Sequence, residues 1–223
     1  MSMSNFLSFL VIFFPWRLKR YILVTLLDYE IDKTAYIGFS LVDVGKLKMG
    51  KNSSIGHLNI IRSMLTIDMR ENASIGNLNW ITGVASYVPN NEGSSAVTPG
   101  MISIGKHTSV TNRHYLDCSG GFEMGSFSIL AGVKTTLVTH SIDIYSSRQK
   151  LFKVTIGSYC FVGTNSILLM GSKLPDYSIL GAGSILTKTY NKPYSLYAGN
   201  PAKPVKELPK DLRYFLREVG HVD

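Results

Sequence analysis

The chain carries five histidines, His57, His107, His114, His140 and His221, and imidazole is the side chain best suited to move a proton near neutral pH. His140 differs from the others in its surroundings. It lies in THSIDI, where a regular repeat stops and an irregular stretch, 141–153 (SIDIYSSRQKLFK), begins. A histidine taken blindly is more often structural or solvated, but its place at the end of a regular coil and the mouth of a loop makes His140 the candidate for proton transfer. Upstream, NRHYLD holds Asn112, His114 and Asp117. In an extended segment Asn112 and His114, two residues apart, share a face. Each has two readings: a residue that holds an acceptor, or a structural residue, which for Asn112 means one rung of an asparagine ladder. Asp143 either orients His140, binds an acceptor sugar, or is a solvated loop carboxylate. No serine or cysteine is set as a nucleophile beside His140, so a covalent intermediate on such a residue is not expected.

The elements that must position these residues follow from a period of six. Ile156, Val162, Leu168, Leu174, Leu180 and Leu186 share one phase, and the residue four after each of the first five is small: Cys160, Ser166, Ser172, Ser178, Ser184. An amphipathic helix needs apolar residues at i, i+3, i+4 and i+7, and a half-buried strand alternates. A period of six suits neither, but it suits a coil of short strands and turns whose aliphatic side chains point inward and stack. The phase starts near Tyr36. It runs through Met49, Ile55, Ile61 and Ile67, resumes at Met69, Ile75 and Ile81, again at Ile104, Val110 and Leu116, and again at Met124 and Leu130. KMGKNSSIG and DMRENASIG are the same unit twenty residues apart. The slips between phases place extra residues at corners. Residues 85–100, rich in Gly, Pro, Asn and Ser, read as a protruding loop, and 141–153 as a second.

Apolar residues make up 45% of the chain, enough for a sizeable core in 223 residues. The net charge of +8 favours an anionic partner, and without a long Lys/Arg run or a zinc motif nucleic acid is the weakest choice. Cys118 and Cys160 occupy repeat positions and read as reduced core residues, which suits the cytoplasm. Residues 5–29 are apolar and aromatic with Arg17, Lys19 and Arg20, too short and too interrupted to span a bilayer. They read either as a helical cap on the first coil or as an in-plane anchor at the inner face of the membrane. Residues 191–223 read as an extension with four prolines between 193 and 209, then a helix in KDLRYFLREV covering the last coil. The expected domains are 1–35, 36–190 and 191–223.

With the hexads, the pre-loop histidine, IGSYCFVG, LGAGSILTK and AGNPAK together, the chain resembles the hexapeptide-repeat acyltransferases over about 170 residues. That resemblance implies an all-β fold, a left-handed parallel β-helix of three hexads per coil, against the usual right-handed crossover rule. It implies acetyl-CoA as cosubstrate with no metal, and a homotrimer whose active site lies between neighbouring β-helices. His140 matches the family's general base. Asn112 matches an acceptor-holding asparagine of the maltose and galactoside type. Phe161 matches an aromatic beside the acyl group. The N–H of Thr164 matches a donor to the thioester carbonyl. Gly181, Ala182 and Gly183, with Thr187 and Lys188, match the pantetheine run, and Lys203 matches a phosphate-binding cation.

The N-terminal part does not resemble the helical domain of maltose and galactoside acetyltransferases. The chain is closer to O-acetyltransferases of polysaccharide and surface-glycan synthesis, which implies transfer to a sugar hydroxyl. An amine acceptor on an amino-sugar nucleotide and a non-catalytic scaffold are the alternatives. A metal enzyme resembling γ-type carbonic anhydrases would need a histidine at 145, where this chain has Tyr145.

Overall fold

The computed structural model describes residues 3–84 and 99–222; most of the loop expected over 85–100 lies outside them. The chain winds into a left-handed, parallel β-helix of triangular section. Each face is a parallel sheet built by short strands one coil apart, so backbone hydrogen bonds run along the axis and side chains alternate in and out.

The inward aliphatics form three stacks. Face one stacks Ile31, Met49, Met69, Ile104, Met124, Ile156 and Leu174. Face two stacks Ile37, Ile55, Ile75, Val110, Leu130, Val162 and Leu180. Face three stacks Val42, Ile61, Ile81, Leu116, Leu137, Leu168 and Leu186. All are buried, and seven residues per stack make seven coils. The small residues of each hexad are buried at the turns. Ser166 Oγ donates to the carbonyl of Gly163, Ser178 Oγ to that of Asp176, and Ser184 Oγ accepts from the Gly199 N–H.

The corner between faces one and two carries a further stack, of rings. His107, Phe127, Tyr159, Tyr177 and Tyr194 all have positive φ, between 52° and 58°. L-residues rarely adopt this region because Cβ crowds the following carbonyl. Here it aims five rings the same way, with centroids 4.7–5.1 Å apart. The C-terminal chain returns along this column. Helix α3 (Arg213–Leu216) is a single turn, with Phe215 edge-on to Tyr177 and Tyr194. It therefore lies on the flank of the last coils and does not cover their end, because rings already exposed at the corner offer it an apolar seat.

The coil boundaries also differ from expectation at both ends. The first coil begins with the strand Glu30–Ile31, which pairs with Lys48 and Met49, ahead of Tyr36. Beyond residue 190 the strand Ser195–Gly199 adds to face two, burying Tyr197 over Leu180, and Ala202–Glu207 folds back antiparallel to protect that edge. At the N-terminal end, helices α1 (Met3–Leu10) and α2 (Trp16–Leu26), with the 3-10 turn Val11–Phe13 between them, close the first coil, burying Val11 and Leu23. Lys19 Nζ donates to the carbonyls of Gly38, at 2.7 Å, and Ser40, and burial lowers its pKa to about 8. Arg20 donates to the Ile31 carbonyl.

Candidate active site

His140 follows the face-three strand Thr136–Val138 and opens an antiparallel hairpin, His140–Asp143 with Arg148–Leu151, that projects from the corner between faces three and one. The local register explains its placement. Asp117 and Val138 are direct neighbours on successive coils, so two residues further His140 turns back over Asp117. Its Nδ1 stands 2.9 Å from Asp117 Oδ2; the side chains are 34% and 13% exposed. Nδ1 makes no aligned hydrogen bond, so this is a close contact between the ring and the carboxylate. Such geometry commonly tightens when substrate binds. The other oxygen, Oδ1, accepts from the Ser119 N–H at 2.9 Å.

Thr139 fixes the backbone between them. Its Oγ1 donates to the Asp117 carbonyl and accepts from the Gly120 N–H, and its carbonyl accepts from Phe152 N–H. A Cβ on Gly120 would stand 2.6 Å from the Thr139 carbonyl, so the close approach of the coils requires glycine there. Among the described residues, no serine or cysteine side chain bonds the His140 ring, and no group of three His, Cys, Asp or Glu side chains is arranged to hold a metal.

Asp143 makes its contacts within the hairpin and does not orient His140. It takes Lys150 as its ion-pair partner across the hairpin and accepts from the N–H groups of Tyr145 and Ser146, which lowers its pKa to about 2. It shapes the turn, and Asp117 is the carboxylate that faces His140. His114 is a correction as well. It is buried, accepts at Nδ1 from the Thr135 N–H at 3.1 Å, and meets Thr111 Oγ1 through Nε2 at 3.0 Å. The acceptor role of Nδ1 assigns the neutral ring, and desolvation lowers its pKa to about 4. It continues an internal ladder: Asn79 Oδ1 accepts from His114 N–H, as Asn59 Oδ1 does from Asn79. The side chain belongs to the core and does not reach an acceptor. Asn112 is exposed, with Oδ1 accepting from the backbone and side-chain N–H of Asn77. It is a rung of an outer ladder, at the corner between faces two and three.

Most of the expected coenzyme residues gather at that same corner. Thr164 Oγ1 accepts from Val133 N–H and donates to its carbonyl; among the described residues no group accepts from the Thr164 N–H. Gly181, Ala182 and Gly183 sit one coil above, where Gly183 N–H donates to the Thr164 carbonyl. Gly183 has φ +67°, and a Cβ built there would meet nothing within 4 Å. Lys203 is exposed and pairs in register with Ala198, whose Cβ lies 3.0 Å from a Cβ built on Gly181. A bare backbone ledge, a donor without a partner and a nearby cation fit an extended thioester chain ending in phosphates. Phe161 is not part of that ledge; it lies mid-face under the edge of Tyr214. Thr187 and Lys188 belong to the other corner, two coils above the segment preceding His140, because Leu186, Leu168 and Leu137 are in register. Lys188 Nζ lies over the Tyr190 ring.

Comparison with known proteins bears on this arrangement. A putative acetyltransferase of Staphylococcus aureus is 35% identical over 77 residues, 33% of this chain and 38% of that protein. The galactoside O-acetyltransferase of Escherichia coli is 32% identical over 68 residues, 30% of this chain and 33% of that one. The match thus spans little more than a third of these relatives. No protein-family model matches. Among solved structures, the polysialic acid O-acetyltransferase OatWY superposes with a TM-score of 0.53 at 18% identity, covering 80% of this chain and 84% of that one. AntD, an N-acyltransferase from Bacillus cereus in complex with dTDP and coenzyme A, gives 0.52 at 16%, covering 82% of each. This is the hexapeptide-repeat acyltransferase fold. Within that fold, Asp117 is the functional residue that the sequence marks only as the acidic end of NRHYLD, five residues after Asn112, with nothing in the spacing to place it against His140.

Proposed function

We propose that the chain is an acetyl-CoA-dependent O-acetyltransferase acting on a sugar hydroxyl, of the kind used on surface polysaccharide precursors. The observation that carries the reading is the His140–Asp117 contact at the mouth of a protruding hairpin. In this mechanism His140 Nε2 takes the acceptor hydroxyl proton as that oxygen bonds to the thioester carbon. Asp117 stabilises the imidazolium through Nδ1, and the imidazolium returns the proton to the departing sulfur. The Thr164 N–H meets the developing oxyanion.

Within one chain these groups lie at opposite corners of face three. Val133, beneath Thr164, and His140 are separated by the width of face three, on the order of 20 Å for seven extended residues. The reading therefore needs His140 from one copy and the glycine corner from a neighbour, as in the trimer implied by the resemblance. Similar superposition on an N-acyltransferase keeps an amine acceptor as the second reading. Calorimetry with acetyl-CoA on wild type and His140→Ala, beside turnover on a sugar panel, tests the proposal. Both proteins should bind, and the variant should lose roughly 10²–10⁴-fold in turnover. Absence of binding to wild type would refute it.

A further inference from the structure

The N-terminal cap shows two faces of opposite purpose. Its inner face holds it to the first coil through Val11, Leu23, Lys19 and Arg20. Its outer face presents Phe9, Leu10, Phe13, Leu18, Tyr21 and Leu26 to solvent; Phe13 is 70% exposed and Tyr21 and Leu26 are each 65% exposed. A cap that ends a solenoid ordinarily has a polar outer surface, since nothing stacks beyond it. This one carries an apolar, aromatic surface instead, and clustered exposed apolar side chains of this size mark contact sites.

Charge identifies the occupant. The first 27 residues contain Arg17, Lys19 and Arg20 and no Asp or Glu. Lys19 and Arg20 are turned inward onto backbone carbonyls, leaving Arg17 exposed among the apolar groups. A second copy docked on this face would meet Arg17 with another Arg17 and no carboxylate from the helices. Anionic lipid headgroups supply the missing charge, and the acyl boundary accepts Phe, Leu and Tyr side chains. The helices run 8 and 11 residues, and no helix of the described residues is long and apolar enough to cross a membrane. We propose that the outer face of α1 and α2 lies in the plane of an anionic bilayer surface, mounting the β-helix end-on. The proposal does not depend on the acetyl-transfer reading.

The test is co-flotation of the full-length protein with vesicles of phosphatidylcholine alone or mixed with phosphatidylglycerol, for wild type, Phe13→Ser/Leu26→Ser and Arg17→Glu. These positions are exposed, so thermal unfolding should be unchanged. Wild type should float with the anionic vesicles, less so as salt rises, and each variant should bind on the order of tenfold more weakly. Failure of wild type to bind would overturn the proposal, as would equal binding by the variants. Sedimentation of the free proteins separates the remaining case. A larger assembly that Phe13→Ser/Leu26→Ser dissolves would make this face a contact between copies and would equally overturn it.

Discussion

Asp117 Oδ2 faces Nδ1 of His140 while the Ser119 N–H holds the other carboxylate oxygen, so Nε2 is the ring nitrogen that Asp117 leaves unoccupied. Asp117→Asn keeps the shape and removes the charge that stabilises an imidazolium. In steady-state kinetics it should lower kcat by on the order of 10²-fold or more, with the KM for acetyl-CoA little changed. An unchanged kcat would leave Asp117 with only a structural role. His114 makes a contrasting prediction. Its folded pKa, about 4, lies below the unfolded 6.5, so its stabilising contribution is present above pH 6.5 and is lost as pH falls through about 4. Between those limits stability should fall by on the order of 3 kcal/mol from this group, measurable by urea unfolding. His114→Asn would extend the Asn59–Asn79 ladder with a side chain that does not titrate, and should flatten that acid limb.

Among the elements, the ring column explains how a one-turn helix can be held. Phe215 is buried against Tyr177, Tyr194 and Tyr214, Arg217 lies over Tyr214 and Tyr159, and Tyr214 Oη donates to the Cys160 carbonyl. Alone, four residues could not stay helical. Phe215→Ala should cost about 3 kcal/mol. It should also expose Arg213 and Arg217 to trypsin before the β-helix is cut, with the fragments read by mass spectrometry. Intact resistance would mean that the return strand is held without this ring. Buried Cys118 and Cys160 have thiols pushed up by burial, Cys160 to about 12, so neither is a ready nucleophile.

For the whole molecule, the separation of His140 from the Gly181–Gly183 ledge by one face makes a prediction about assembly. His140→Ala and Ala182→Trp damage different corners. If each site draws on two copies, either variant alone should be inactive. Subunits mixed in equal amounts and reassembled should recover about a quarter of wild-type turnover, the share of sites with both halves intact. No recovery on mixing would place a complete site within one chain.

The inward stacks were legible in the sequence because each coil touches only its neighbours. An aliphatic every six residues is a local signal that survives without knowledge of distant contacts. Ile156 to Leu186 accordingly fell into three stacks, and His140 was recognisable as the residue where that regularity breaks. What depends on register was not legible. Leu130 to Leu137 spans seven residues and Leu116 to Met124 eight, and each added corner residue changes what stands opposite on the next coil. Backbone pairing across 21 residues put Asp117 beside Val138 and so under His140, and pairing across 35 put His114 on Asn79 inside the core. The seat of Phe215 likewise required Tyr177 and Tyr194, from separate coils, to align at one corner. The sequence by itself thus determined the repeat, the core and the residue types available for proton transfer. Only the tertiary structure decided which of them meet, because that follows from hydrogen-bond register between coils and not from spacing within one.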